Sequence, residues 1–512
     1  MIQHPESARA KWQNTIIIVC LGLGGLALLL AIIKSLNWRY VHDSPLMIYS
    51  AFLIDRGAVP YRDFFDMNMP GTYAVMWFMG KTLGWSDLAF RVFDLICLVL
   101  LGLVTFRWLK PLGIYAAISA PLLFSIYYIE IGPVTSLQRE YIALIPLVLM
   151  LSIVMGDTPR RPWARGSTIG LLIGFTFLIK PQFLILSLPA LALFFFGARK
   201  NGKIKDLSLS TLTGFLIPVI IAFLYLLITG AWGPFIDMVI NYWPLYSHMT
   251  GMHEPIAGWD RFVYILIGTS YGLGKYYLPA AILGIMVLSR QESSNRKQWL
   301  FIGLLVASVI YPGLSGQFWG YHWIPFHFLA FCAAALAVRP VTAKNRHPAA
   351  YLPPIAVLLY LLIIGFWSVD IMLNDEKQAD YSSVARVPRE MSDYLKKHLR
   401  TGDTVQPLDW TGGAVHAMLL AEAQLATRFM YDFHFYHHID SPYIHKLRRQ
   451  FIKELRKARP RFVLYVYENR PWPQGENTTG EFPELKMFME HNYIPVKNGD
   501  SYQILETRAT AP

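Results

Sequence analysis

Long apolar runs alternate with short polar segments from residue 15 to residue 372. Most runs are close to the roughly 20 residues that a helix needs to cross a lipid bilayer. Lys180-Pro181 interrupts one apolar block, which we interpret as two short spans because proline breaks a helix interior. The first run lacks a small-residue cleavage pattern, so we expect it to be retained. The pattern predicts eleven spans, at about 15–36, 88–108, 112–129, 139–156, 166–180, 183–198, 207–229, 271–289, 298–314, 322–338 and 350–372.

From about residue 374 the pattern changes to short strand-like runs that alternate with helix-like ones. This alternation predicts a small α/β domain. We therefore expect a mainly α protein, with a polytopic membrane helix bundle at 1–373 and a soluble α/β domain at 374–512. The predicted strands are Thr404–Leu408, Ala426–Tyr431, Arg461–Tyr467 and Ser501–Glu506, and the predicted helices are Val387–Leu399, Tyr443–Ala458 and Pro483–His491.

The composition agrees with a membrane protein. Hydrophobic residues make up 54% of the 512 residues and charged residues only 16%, whereas soluble domains carry roughly 25% charged residues. This excludes a disordered chain and argues against an ordinary soluble enzyme. The three cysteines lie in apolar runs, so neither a disulfide framework nor a cysteine metal site is predicted.

The net charge of +12 would be compatible with nucleic-acid binding if the basic residues formed one patch. Instead they concentrate in every second loop between the predicted spans, where 17 Lys and Arg accompany four Asp and Glu. Cytoplasmic loops of membrane proteins carry this excess of positive charge. We therefore expect a cytoplasmic amino terminus, an outer (periplasmic) carboxy-terminal domain and no nucleic-acid partner.

The first outer loop, at 37–87, is long and rich in charged residues. Its residues 44–56 predict an amphipathic helix on the bilayer surface. Ionisable groups at membrane depth are costly, so each is a candidate functional residue. The loop contains Asp43, Asp55, Arg56, Arg62, Asp63 and Asp66.

Other polar residues fall at the outer ends of later spans, in Gln138-Arg139-Glu140, Lys180-Pro181-Gln182 and the segment ending at Tyr321-His322. Carboxylates, cations and an imidazole on one face suit a reaction in which one group removes a proton and others neutralise a departing phosphate. The residues alone leave structural roles open, such as solvated loop acids, an interfacial Arg139–Glu140 pair and a Lys180 that extends to lipid headgroups.

No motif for a nucleotide, a metal or a hydrolase nucleophile is present. His322 and His327 fit neither HExxH nor a zinc pattern, and Walker A, Rossmann and GxSxG sequences are missing. We predict no cofactor and no metal site, although a divalent cation held by acids and a donor phosphate remains open.

The segments "GAVPYRDFFDMNMPGTY", "QRE", "LIKPQ" and "GYHWIP" occur in this order at outer ends of spans. Their order and sidedness resemble the GT-C superfamily of membrane glycosyltransferases, in the bacterial branch related to protein O-mannosyltransferases and lipid A aminoarabinose transferases. The resemblance covers about 1–372. The sequence has "NMPG" where relatives often have two prolines.

This resemblance implies an inner-membrane transferase that moves a monosaccharide from a polyprenyl-phosphate donor to a cell-envelope acceptor, which is lipopolysaccharide, another glycan or a protein. Inversion at the anomeric carbon is implied, and retention stays open. Asp43 matches the general base, with Asp63 and Asp66 as further acids that orient the acceptor or Asp43. The remaining implied roles are donor-phosphate binding for Arg62, Arg139, Lys180 and His322, and acceptor orientation for Glu140 and Tyr321.

Other classes of membrane protein remain as alternatives. A transporter or flippase would show interrupted helices in two related halves, and no internal repeat is visible. An O-antigen ligase or polymerase usually concentrates polar residues in one late loop, whereas here the first loop is richest. A purely structural protein does not explain charges gathered on one side.

Overall fold

The computed structural model describes residues 8–156, 161–200, 202–270, 274–289, 295–339, 358–359, 362–363, 375–467 and 475–508. The chain is mainly helical. The helices are α1 (Ala8–Ser35), α2 (Ser44–Asp55), α3 (Pro70–Leu83), α4 (Asp87–Leu109), α5 (Ile114–Glu130), α6 (Arg139–Met155), α7 (Pro162–Ile179), α8 (Leu184–Lys200), α9 (Ile204–Ile228), α10 (Trp232–Asn241), α11 (Trp243–Ser247), α12 (Gly258–Ser270), α13 (Gly274–Ser289), α14 (Asn295–Ser315), α15 (Ile324–Ala335), α16 (Asp375–His398), α17 (Ala414–Leu420), α18 (Pro442–Ala458) and α19 (Pro483–Asn492).

Each predicted span up to residue 338 falls on a helix of the structure. Six of these helices, α1, α4, α7, α8, α9 and α14, are long and apolar enough to cross a membrane by length and composition. The predicted span at 350–372 lies almost wholly outside the described residues, so the number of eleven stays a prediction. Large apolar side chains are exposed on the outer helix faces, as a surface facing lipid requires; examples are Leu23, Leu26, Leu30, Ile217, Ile221 and Leu224.

The helix predicted at 44–56 exists as α2, but it is not amphipathic. Every residue from Ser44 to Leu53 is buried, so α2 does not present a polar face to water. The C-terminal region covers it: the Tyr49 hydroxyl donates to the backbone oxygen of Ala423 at 2.8 Å. The first outer loop is therefore an internal part of the structure.

Glycines allow α7 to pack closely against α9. A Cβ at Gly170 would lie 1.9 Å from the backbone oxygen of Thr211, and one at Gly214 would lie 2.0 Å from that of Ser167. Small residues permit such close approach of membrane helices. This packing fixes the position of the carboxy-terminal end of α7, which lies immediately before Lys180.

The C-terminal region contains a five-stranded sheet in the order β2-β1-β3-β5-β4. Strand β1 pairs in parallel with β2 and β3, and β5 pairs antiparallel with β3 and β4. The strand predicted at Ala426–Tyr431 is wrong, because that segment is irregular apart from a bridge to the first outer loop. The strands are β1 (Thr404–Leu408), β2 (Gln424–Leu425), β3 (Phe462–Val466), β4 (Tyr493–Asn498) and β5 (Tyr502–Thr507).

The segment at 426–431 instead binds the first outer loop. The Phe65 amide donates to the backbone oxygen of Arg428 at 2.7 Å, and the Arg428 guanidinium donates to the backbone oxygen of Tyr61 at 2.8 Å. Phe65 and Phe429 form the bridge, with ring centroids 5.9 Å apart. The loop is thus held between the helix bundle and the C-terminal domain.

Candidate active site

Asp43 lies immediately before α2, beside its neighbour His42 and groups from two other parts of the chain. Its Oδ2 accepts a hydrogen bond from the Tyr321 hydroxyl at 3.0 Å and lies 3.6 Å from Nη2 of Arg139. Its Oδ1 lies 3.1 Å from Nδ1 of His42. The side chain is 14% exposed, so these contacts act in a largely dehydrated environment.

These neighbours determine the ionisation of Asp43. Burial alone would raise its pKa, but the charges of His42 and Arg139 and the hydrogen bonds from His42 and Tyr321 outweigh burial, so the pKa lies well below its ordinary value. Burial lowers the pKa of His42, but the adjacent carboxylate of Asp43 outweighs it and the net pKa is raised. Asp43 is therefore held in its ionised, carboxylate form.

A hydrogen-bonded chain connects Arg139 to Asp66. Nη1 of Arg139 donates to Oδ1 of Asn68 at 2.6 Å, and Nδ2 of Asn68 donates to Oδ2 of Asp66 at 2.7 Å. The hydroxyls of Tyr73 and Tyr431 also donate to Asp66, at 2.8 and 3.3 Å. Because Tyr431 belongs to the C-terminal domain, that domain helps to hold the segment before α3.

Lys180 and Glu140 form a second buried ion pair. Oε1 of Glu140 accepts hydrogen bonds from Nζ of Lys180 and, at 2.9 Å, from the Tyr311 hydroxyl. Nε2 of His322 lies 3.5 Å from the same oxygen. Glu140 is fully buried, so this geometry suits it to holding Lys180.

The start of α3 is pressed against the end of α7. A Cβ at Gly71 would lie 2.6 Å from the backbone of Leu178, so only glycine permits this approach without displacement. The contact brings Asn68, just before α3, to the same cavity as Lys180, just after α7.

Two of the residues predicted for the site lie elsewhere. Arg62 and Asp63 form an ion pair with each other at 2.7 Å, and both are substantially exposed. Arg62 also donates to the backbone oxygen of Thr229 at 2.8 Å. The structure brings together the other predicted residues, namely Asp43, Asp66, Arg139, Glu140, Lys180, Tyr321 and His322.

Two cavities flank Asp43. The first, of about 340 Å³, is lined by Asn68, Arg139, Lys180 and His322. The second, of about 800 Å³, is lined mainly by aromatic side chains; they are His42, Tyr127, Tyr264, Phe318, Trp319, Tyr321, Trp323 and His327. Asp43 contacts Arg139 of the first cavity and both His42 and Tyr321 of the second, so its carboxylate lies between them.

An apolar groove of about 760 Å³ adjoins the first cavity. The two share Ile179, and the groove continues past Gly71 and Tyr73 to apolar residues of α9. A molecule with a charged head and a long apolar chain would fit a cationic cavity joined to such a groove.

The C-terminal domain contributes an aromatic residue beside the site. The ring centroid of Trp410 lies 5.9 Å from that of His42 and 6.2 Å from that of Trp319. Among the described residues, no group of three or more His, Cys, Asp or Glu has an arrangement that could hold a metal ion.

The structure is similar to a crystal structure of ArnT from Cupriavidus metallidurans bound to undecaprenyl phosphate. The similarity has a TM-score of 0.62, covers 95% of this chain and 98% of ArnT, and is accompanied by 12% sequence identity. The chain has the ArnT fold. This finding confirms the GT-C fold predicted from the sequence.

Together with the six long apolar helices, the ArnT fold makes the chain a multi-pass membrane protein. No protein-family model matches the sequence, and no curated protein matches it. The relationship is visible in the fold because helix packing tolerates extensive exchange among apolar residues.

Proposed function

We propose that the protein is a membrane glycosyltransferase that moves a monosaccharide from a polyprenyl-phosphate donor to a hydroxyl of a cell-envelope acceptor. The observation that carries this proposal is the position of the Asp43 carboxylate, between a cationic cavity and an aromatic cavity. A proton acceptor next to cations suits a displacement in which phosphate leaves.

The first cavity suits the donor phosphate. Arg139 can offer two donors to phosphate oxygens, and such charge-assisted contacts are among the stronger hydrogen bonds. Its Nε is buried without a hydrogen-bond partner among the described residues, as expected for a donor that a ligand completes. Lys180 and His322 line the same cavity. The adjoining apolar groove would receive the polyprenyl chain, and the undecaprenyl phosphate bound to ArnT supports this class of lipid.

The second cavity suits the acceptor. Its aromatic side chains offer apolar faces and polar edges to a sugar ring, and two of its lining residues, His42 and Tyr321, contact the carboxylate of Asp43. We propose lipopolysaccharide, another envelope glycan or a protein hydroxyl as the acceptor. We propose that the site lies at the outer face of the inner membrane and that the amino terminus is cytoplasmic.

The proposed reaction is a single displacement with inversion. Asp43 takes the proton of the acceptor hydroxyl while the acceptor oxygen bonds to the anomeric carbon. The bond between that carbon and the phosphate oxygen breaks, and polyprenyl phosphate leaves with its negative charge beside Arg139 and Lys180. The phosphate also offsets the charge of Arg139, which strengthens Asp43 as a base when the donor is bound.

The test is to incubate membranes that contain the protein with radiolabelled polyprenyl-phosphate sugars and to identify the labelled product. Asp43→Asn keeps the shape of the side chain but cannot take the proton, so we expect transfer to fall by about 10²–10⁴-fold. Asp55→Asn is the matched control, because Asp55 is in the same loop but pairs with Lys81 at 2.9 Å. Near-normal transfer by Asp43→Asn, or label that stays on the carrier with wild-type protein, would contradict the proposal.

A further inference from the structure

A second charged cavity lies at the opposite end of the helix bundle. Helices α6 and α14 each have one end at the candidate active site, at Arg139 and Ser315, and the other at this cavity, at Met155 and Arg296. The cavity has a volume of about 310 Å³. The proposed transferase reaction does not use it.

The cavity is basic. Its lining includes Arg165 on α7, Lys203 before α9, and Arg296 and Lys297 on the first turn of α14. The described residues that line it include no Asp or Glu. The loops from which these cations come were interpreted above only as a signal of orientation, and the fold gathers them around one concave surface.

Helix ends add to this positive field. The amino-terminal ends of α7, α9 and α14 all contribute lining residues, and each such end carries partial positive charge. The carboxy-terminal turns of α6 and α8 also line the cavity, and the end of α6 is neutralised by Arg165. Its Nη2 donates to the backbone oxygens of Ile153, Val154 and Gly156, at 2.7, 3.0 and 3.0 Å.

The remaining wall of the cavity is apolar, and Val154, Leu193, Phe194 and Leu207 line it. The cavity adjoins an exposed aromatic side chain, because the lining residue Arg296 lies over the ring of Phe196, 5.3 Å from its centroid, and Phe196 is 51% exposed. A bound molecule would therefore place a negative head among the cations and apolar chains against the helices.

We propose that this cavity binds the phosphate headgroup of an anionic phospholipid from the leaflet opposite the candidate active site. Basic pockets between membrane helices are suited to such headgroups. The apolar wall favours a membrane lipid over a soluble phosphate. The site is independent of the proposed transferase activity.

Two variants change the cavity in different ways. Lys203→Gln with Lys297→Gln removes two cations. Gly197→Leu fills the space instead, because a Cβ at Gly197 would have no atom within 4 Å, and leucine also favours a helix more than glycine. The matched control is Arg199→Gln with Lys205→Gln, which removes two exposed cations from the same end of the bundle but outside the cavity.

The measurement is native mass spectrometry of the purified full-length protein in detergent, titrated with phosphatidylglycerol, phosphatidylcholine or polyprenyl phosphate. We expect phosphatidylglycerol to bind wild-type protein, and both cavity variants to bind it at least about tenfold more weakly. The control should stay within about twofold of wild type, because neither of its two side chains lines the cavity.

Three results would overturn the proposal: equal binding by all variants, binding of phosphatidylcholine as tight as that of phosphatidylglycerol, or cavity variants that weaken the binding of polyprenyl phosphate and not that of phosphatidylglycerol. The last would identify a carrier site in this cavity. Because lipid binding is measured without turnover, failure here is distinguishable from failure of the transferase proposal.

Discussion

The buried pair of Glu140 and Lys180 provides a test in which stability and donor binding separate. Glu140→Gln leaves an ammonium without its counter-charge, and Lys180→Gln leaves a carboxylate whose neighbours are Tyr311 and His322. The side chains are 0% and 10% exposed, so water can compensate only part of the loss at Lys180 and none of the loss at Glu140. Removing one partner of a buried pair costs about 3–5 kcal/mol, whereas replacing both is often close to neutral.

We therefore expect the double variant to be more stable than either single variant by about 2 kcal/mol or more. Donor binding should follow Lys180 alone. Glu140→Gln should keep the wild-type affinity for polyprenyl phosphate. The two variants that lack Lys180 should bind polyprenyl phosphate about tenfold or more weakly, because a hydrogen bond to a charged group contributes about this much. Unfolding in detergent and binding of radiolabelled polyprenyl phosphate measure the two quantities.

The exposed pair of Asp55 and Lys81 is the control for this cycle. Its Nζ–Oδ1 distance is 2.9 Å and the lysine side chain is 50% exposed, so the coupling should stay below about 1 kcal/mol. If the double variant of Glu140 and Lys180 loses as much free energy of unfolding as the two single variants together, the pairing is refuted. Wild-type affinity for polyprenyl phosphate in that variant would refute the role of Lys180.

Three further predictions concern Asn68, Tyr321 and His253. Asn68→Ala frees Arg139 to pair directly with Asp43, so kcat/KM for the donor should fall about tenfold in steady-state assays. Tyr321→Phe removes one hydrogen bond that lowers the pKa of Asp43, so the acidic limb of the pH profile of kcat/KM should move to higher pH. Burial, with adjacent imidazoles, lowers the pKa of His253 from 6.5 to about 3, so its contribution to stability is present above pH 6.5 and declines as the pH falls towards 3. Proteolysis of the loop around His253 should therefore increase below pH 6.5, and His253→Gln should reduce this dependence.

Hydrophobic pattern was sufficient to locate the six described helices that are long and apolar enough to cross a membrane, because each is a continuous apolar run with its own backbone hydrogen bonds. It could not show what covers α2. The alternation of residues 44–56 predicted a surface helix, but Tyr49 contacts the backbone of Ala423, far away in the chain. A run of apolar and aromatic residues indicates that a segment is buried, but it does not identify the residues that cover the segment.

The same ambiguity explains the errors in the C-terminal domain. Residues Ala426–Tyr431 predicted a strand because they are aromatic and apolar, yet Phe429 and Tyr431 are buried against the first outer loop. Strand β4 escaped prediction because it is an edge strand with exposed residues, Pro495 and an irregular register after it. Edge strands tolerate proline and carry weak alternation.

For the site, the positions of charged residues in the sequence predicted Asp43, Arg139 and Lys180. They did not predict the neutral groups that hold these residues. Asn68 and Tyr311 carry no charge, and no spacing in the sequence connects either to its partner. The nearest signal for Asn68 was its place two residues after Asp66 in a segment already singled out. Neutral polar residues beside a candidate acid therefore merit the same attention as charged ones.

Asn68 also explains how the proposed base and the proposed phosphate-binding cation can lie side by side without a direct hydrogen bond between them. A direct hydrogen bond between Asp43 and Arg139 would occupy both the oxygen that takes the proton and the guanidinium that binds phosphate. Instead Arg139 donates to the neutral Asn68 at 2.6 Å and stays 3.6 Å from Asp43. Asn68 is in turn fixed by Asp66, which Tyr431 of the C-terminal domain contacts. The C-terminal domain would therefore act on the proposed reaction through the distance between two charges, and it needs no residue that touches the substrate to do so.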